Sequence, residues 1–134
     1  MLRALRLAAT RESLATAKLI SQGRLAVYLR THDPSGRGLG GVYRFDSKEI
    51  IVYTSAFSTP QQAAGYATHE MMHFMQKVRR TNYNLGHEFD AFRAQGAVDW
   101  GHWTNCLRDP KLYELLGNHP VYRHLPIGPK GPYE

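Results

Sequence analysis

The sequence predicts a single α+β domain, built from an N-terminal helix, a small antiparallel sheet, a helical hairpin and a short C-terminal helix. Three observations carry this reading. The 134 residues suffice for one hydrophobic core and are too few for two. A composition of 43% hydrophobic and 21% charged residues is that of a globular domain rather than a disordered segment. Strand-like runs are confined to residues 25–54, with helical patterns before and after, which is the segregated order of an α+β chain. The domain is expected to span 1–134, with its core at about 24–105 and a flexible tail at about 125–134.

Leu2, Leu5, Leu7, Leu14 and Ile20 give the stretch from Leu2 to Ser21 an apolar helical surface, and Gly23 ends it. Arg3, Arg6, Arg11 and Lys18 interrupt every apolar run here, so a secretory signal peptide is not expected. An organelle transit peptide is the weaker reading against a plain amphipathic helix. Leu25 to Leu29 is a short strand, and the turn-rich loop 32–41 leads to a second at Val42–Phe45. Asp46-Ser47-Lys48 forms a hairpin turn into Glu49–Thr54, the most β-branched run of the chain. Thr59 caps a helix with Pro60 at its first position and Gln62 completing a capping box; nothing breaks it before about Arg79. After Thr81–Gly86, Glu88 to about Trp100 is again helical, and Asp109-Pro110 starts a last helix that Gly117 ends.

Seven histidines are many for so short a chain, and Cys106 is the sole cysteine. No disulfide can form within the chain and no thiolate cluster can hold a metal, so any metal must use His and carboxylate ligands. His69-Glu70-Met71-Met72-His73 matches the H-E-x-x-H zinc pattern. At about 100° per residue, His69 and His73 lie about 40° apart on the helix and about 6 Å apart along it, so both rings reach one ion. Glu70 is displaced to the side, where its carboxylate meets a water on the metal instead of the metal itself.

A catalytic Zn²⁺ needs a third protein ligand and an open fourth position. Glu88, early in the returning helix and followed by the small Ala91, comes level with His73 and is the expected third ligand. Asp90, His87 or a purely structural Glu88 at a helix start are the alternatives. Gln76 lies one turn beyond His73 and is expected to support it or to pack. Tyr83, His87 and Tyr66 are candidates for polarising a substrate carbonyl. His102 falls near the Glu88 face but about 21 Å along an unbroken helix, and His32, His119 and His124 read as surface groups. Met71, Met72, Phe74 and Met75 read as core, and Lys77, Arg79 and Arg80 as a solvated helix end.

The pairing of His69-Glu70-Met71-Met72-His73 with Glu88-Phe89-Asp90-Ala91 resembles the compact gluzincin-type zincin metallopeptidases, and is similar to the small metallopeptidase domains of phage proteins and bacterial polymorphic toxins. The resemblance spans about residues 38–95. It implies a zincin-like fold and, at Ile50, Ile51, Val52 and Tyr53, an edge strand that holds extended substrate. The interval from His73 to Glu88 is shorter than in large secreted gluzincins.

The expected activity is zinc-dependent hydrolysis of peptide or protein substrates, endopeptidase rather than exopeptidase, with Glu70 as general base. An inactive zincin-like or basic binding module is the alternative, with nucleic acid as a partner of the +6 net charge. An effector or toxin domain of a larger delivery protein is another. No membrane span is expected. A cytoplasmic or delivered location fits the absence of a signal sequence, and the oligomeric state is left open.

Overall fold

The computed structural model describes residues 1–127. Its elements, in chain order, are α1 (Leu2–Ala8), α2 (Arg11–Ser21), β1 (Ala26–Arg30), β2 (Gly41–Arg44), β3 (Glu49–Tyr53), α3 (Pro60–Met75), α4 (Leu85–Val98) and α5 (Asp109–Asn118), with short 3₁₀ turns at Thr54–Ala56 and Trp103–Cys106. The fold is α+β, as the sequence predicts.

The N-terminal helix is two helices instead of one. Ala9 adopts a left-handed conformation with φ 53°, and Thr10 opens α2 through a reciprocal capping box with Ser13. Two orphan amides satisfied at once outweigh the helix preference of Ala9. Gly23 then closes α2: its amide and that of Arg24 bond back to Ile20 and Leu19, the paired pattern of a Schellman stop.

The sheet is mixed where an antiparallel one was expected. Its order is β1-β3-β2; β2 and β3 form the predicted antiparallel hairpin, but β1 runs parallel to β3. Sequence explains which strand takes the centre. Ile50, Ile51, Val52 and Tyr53 are all buried, and an unbroken apolar run of this kind suits a strand covered on both faces and both edges. β3 therefore has no free edge, and the substrate-holding role expected of Ile50–Tyr53 is ruled out by its pairing on both sides. β1 and β2 are the edges.

α3 lies across the sheet. Met71 and Ala67 pack on Ile50 and Val52 together with Leu19 of α2, while Ala64 meets Leu5, Ala17 and Val98. On its other side α3 pairs with α4, helped by Ala91, which is fully buried. Gln61 Nε2 donates to the Val98 carbonyl, tying the start of α3 to the end of α4. The Thr59 cap forms as predicted, but Gln62 bonds Ser58 instead of closing a box.

α3 ends at Met75, four residues earlier than expected. Lys77 turns left-handed (φ 53°), and the amides of Lys77 and Val78 bond back to Phe74 and His73, again a Schellman stop. Met71 is core; Met72 and Phe74 are half-buried and Met75 is exposed.

α5 packs on α4 through Leu112, Tyr113 and Leu116 against Leu85 and Phe92. Asp109 is inside α5 rather than its cap, because its carboxylate pairs with Arg93 at 2.7 Å, and Gly117 lies within the helix. Residues 125–127 of the expected flexible tail are anchored. Leu125 packs on that same cluster, the Pro126 carbonyl accepts the Leu85 amide, and the Ile127 carbonyl accepts the Tyr113 hydroxyl. The remainder of that tail lies outside the described residues.

Candidate metal centre

α3 and α4 bring His69, His73 and Glu88 together, with one ligand atom from each lying within 4.8 Å of the others. All three are buried. His69 Nε2 is 3.1 Å from Glu88 Oε2, and His73 Nε2 is 3.1 Å from Glu88 Oε1. Four donors at about 2.0–2.1 Å around a tetrahedral Zn²⁺ sit about 3.3 Å from one another, so these spacings are already close to a ligand shell. Two imidazoles and a carboxylate are also the donor chemistry that a divalent transition metal takes. The trio could hold a metal ion.

Each ring is fixed from behind. His69 Nδ1 is 2.9 Å from the amide oxygen of Gln95, a residue only 1% exposed. His73 Nδ1 is 3.1 Å from the amide oxygen of Gln76. Gln76 is itself oriented, because its Nε2 donates to the His87 carbonyl. An oxygen acceptor at each Nδ1 holds a ring proton there, so Nε2, on the Glu88 side, is the nitrogen that could turn a lone pair to an ion once any proton on it is displaced. Gln76 thus holds the position expected of it, at the C-cap of α3. Gln95 is a residue the sequence reading missed; it lies seven residues beyond Glu88, almost eclipsed with it on α4.

Charge is balanced inside the trio. Burial pushes against protonation of His73, but the Glu88 carboxylate overrides it and holds the ring at about 9. Burial likewise raises Glu88, yet His73 and His69 draw it down to about 2. Tyr83 donates its hydroxyl to Glu88 Oε1, with its ring edge-on to His73 at 5.6 Å.

Glu70 is the buried carboxylate beside the trio. Burial raises its pKa, and His69 and His73 lower it only partly. A backbone hydrogen bond from Tyr43 on β2 also reaches it. The close approach of β2 to α3 depends on Gly40 and Gly41. A Cβ on Gly40 would overlap the Tyr66 ring, and one on Gly41 would come within 3.0 Å of the Ile51 carbonyl and 3.3 Å of Glu70 Cγ. Because the Gly40 carbonyl accepts the Tyr53 amide, antiparallel alternation turns the polar backbone groups of Gly41 and Tyr43 to the outer edge of β2, toward Glu70.

Two cavities meet at this wall. One, of about 470 Å³, is bounded by Val42, Phe45, His73, Val78, Arg79 and Tyr83; the other, of about 200 Å³, by Tyr66, Phe92, Gln95, His102, Trp103 and His119. Leu39, Gly41, His69, Glu70, Val121 and Tyr122 border both.

The chain matches no known family model, no curated protein and no solved structure.

The other candidates fall out by position. Asp90 is exposed and points away from the trio, as its half-turn offset from Glu88 requires. His87 stacks on Tyr83 at 6.4 Å and borders neither cavity. The Tyr66 hydroxyl bonds the Ala56 carbonyl at 3.3 Å, so its ring is a cavity wall and its polar end is engaged elsewhere. His102 does reach the centre, because α4 ends at Val98 and the chain folds back; its ring stacks on Phe92 at 5.9 Å, and Phe92 in turn sits 4.5 Å from His69. His119 and His124 are exposed, as expected, and stand at the rims of the cavities, as do the exposed Arg79 and Arg80. Tyr122, also unforeseen, packs edge-on to Phe92 at 5.8 Å. No helix among the described residues is long and apolar enough to cross a membrane.

Proposed function

We propose that this protein is a zinc-dependent endopeptidase of zincin type, with His69, His73 and Glu88 holding the ion and Glu70 as general base. The observation that carries the reading is the buried His-His-Glu trio with a second buried carboxylate, Glu70, on the same cavity wall. When bound, the ion would supply Lewis-acid activation of water and of the peptide carbonyl. Glu70 takes the proton from the attacking water and passes it to the leaving amine, a role open to the buried carboxylate that both cavities share. Gln95 and Gln76 keep the two rings from turning, so neither the ligand geometry nor the proton on Nδ1 changes during turnover.

Substrate lies along β2, not β3. The outward backbone groups of Gly41 and the carbonyl of Tyr43, a residue whose amide is taken by Glu70, offer an extended peptide a pairing edge. The two cavities that Glu70 borders leave room for chain on both sides of the scissile bond, which favours an endopeptidase. Tyr122 stands over both cavities, and burial together with the charges of Glu88 and Glu70 keeps its hydroxyl protonated. On this reading Tyr122 is the neutral donor that bonds the carbonyl oxygen as negative charge develops there.

Glu70→Gln separates the parts. The variant should bind one zinc per chain like the wild type and lose peptide cleavage by about 10²-fold or more. Cleavage at the wild-type rate would refute the general-base role, and failure of the wild type to retain zinc would refute the metal centre.

A further inference from the structure

Away from the metal centre the charged side chains of the larger cavity are all cationic: Arg37, Arg79 and Arg80 border it, and among the described residues its carboxylates are Glu70 and Glu88 of the centre itself. Arg79 and Arg80 do not extend α3, because the left-handed turn at Lys77 has already ended the helix. Arg79 is redirected across the sheet: its guanidinium carbon lies 5.8 Å from the centre of the Phe45 ring, it hydrogen-bonds the Tyr43 hydroxyl, and its amide donates to Asn82 Oδ1 at 2.6 Å. Among the described residues neither Arg79 nor Arg80 has a carboxylate within ion-pair distance. Arg37 differs, being held by Ser35 at 3.1 Å beside Asp33.

Arg79 is exposed at the cavity rim, yet its guanidinium is held by the Phe45 ring, the Tyr43 hydroxyl and the Val78 carbonyl, a fixed position that a cation merely solvating a helix end does not need. The neighbouring wall of Leu39, Val42, Phe45 and Val78 is apolar, which strengthens attraction between the guanidinium and an incoming anion. The smaller cavity, across the metal centre, is walled by Tyr66, Phe92, His102 and Trp103 and shares only Arg37 among the arginines. The two sides of the scissile position are therefore unlike.

We propose that the Phe45–Arg80 half of the cleft is a subsite for an acidic side chain of a bound peptide, with Arg79 as its principal partner and Arg80 supporting it. This rests on the peptidase reading for its choice of ligand, and it adds a selectivity: Asp or Glu on one side of the cleaved bond only, with a bulky apolar residue accepted on the other.

The test uses the zinc-loaded Glu70→Gln protein, which would bind peptide without consuming it, and labelled short peptides that differ only in carrying Glu, Gln or Lys at one position on either side of a central bond. At low salt the Glu peptide should bind about ten-fold more tightly than the Gln peptide at positions on one side, an advantage that shrinks as ionic strength rises. Adding Arg79→Ala and Arg80→Ala should bring the ratio to about one, and Arg79→Glu with Arg80→Glu should turn the preference to the Lys peptide while zinc content stays unchanged, which a merely structural role would not do. Equal or undetectable binding of Glu and Gln peptides overturns the proposal. So does a preference that survives both alanine changes, or a DNA duplex that outcompetes the Glu peptide through the same arginines. Failure of the wild-type protein to cleave any of these peptides would instead count against hydrolysis, and leaves the binding ratio to decide the subsite.

Discussion

Gln95→Met is the sharpest perturbation of the metal centre, because it removes one hydrogen bond and little else. Gln95 is 1% exposed and its amide oxygen is 2.9 Å from His69 Nδ1; Met matches its length and flexibility without an acceptor. The variant leaves a buried N–H without a partner, which costs about 1–3 kcal/mol. The ring can escape only by moving its proton to Nε2, the nitrogen that faces Glu88, or by turning away from it, and either removes the lone pair an ion needs. Losing such a supporting group typically weakens metal affinity about 10–100-fold, or about 1.4–2.7 kcal/mol, so the two routes to the magnitude agree. Chelator competition should show the zinc dissociation constant of Gln95→Met raised by that factor. Gln76→Met should do less, because Gln76 is half-buried and water can take its place at His73. Zinc binding by Gln95→Met within two-fold of the wild type, or a larger loss in Gln76→Met, would refute the assignment of Gln95 as the group that orients His69.

Metal-free protein should show a pH window set by the His73–Glu88 pair. His73 is raised from 6.5 to about 9, so its contribution is complete below 6.5 and is lost as pH rises through about 9; Glu88 is lowered from 4.5 to about 2, so its contribution is present above 4.5 and is lost as pH falls through about 2. The two shifts describe largely one attraction, worth about 3 kcal/mol once and not twice, and denaturant unfolding of the metal-free protein at pH 6 and pH 10 should differ by that order. With zinc in excess the loss above pH 6.5 should disappear, because His73 then carries no proton in the folded protein and none in the unfolded chain; stability should instead fall below pH 6.5, where the unfolded chain takes up the proton the ion excludes. Gly40→Ala forces a methyl group against the Tyr66 ring and should cost about 1–3 kcal/mol in thermal unfolding; an unchanged midpoint would show that β2 need not approach α3 so closely. Thr10→Ala removes the capping box of α2 and should cost about 1 kcal/mol while leaving zinc affinity as in the wild type.

Much of the centre was legible because it is local. His69 and His73 follow from helical spacing, and Glu88 from the short connection that makes α3 and α4 a hairpin. The error in where α3 ends did not disturb this, because the residues from Lys77 to Asn84 form turns that still return the chain beside His73. Gln95 carried a readable signal, seven residues after a proposed ligand on the same helix, but a buried amide gives no sign of its acceptor until the partner ring is placed. Tyr122 was not legible at all, and His102 only in part: its helix face pointed to Glu88, but the break after Val98 that brings it back was not foreseen. They arrive through turns after α5 and α4, where no periodicity says which way the chain folds. The antiparallel sense of the sheet failed for a similar reason: alternation and β-propensity mark strands, whereas the parallel pairing of β1 with β3 follows from β3 lying between β1 and β2, the place of the strand that gains most from cover on both sides. The run Glu49–Tyr53 did advertise that cover, being apolar without alternation. Ala9 misled because a good helix former gives no warning that the cap one residue later will win.

The three residues that could hold a metal come from one short stretch, 69–88, while Val121 and Tyr122 border the cleft from beyond α5, anchored by Tyr122 on Phe92 and by the bonds of Pro126 to Leu85 and of Ile127 to Tyr113. During synthesis, therefore, a chain that has emerged through α4 already carries every residue of the trio but neither Val121 nor Tyr122. On the metal-centre reading proposed above, capture of the ion and completion of the cleft are separate events in the order of translation, and a chain interrupted between them would be a chelator without a finished groove.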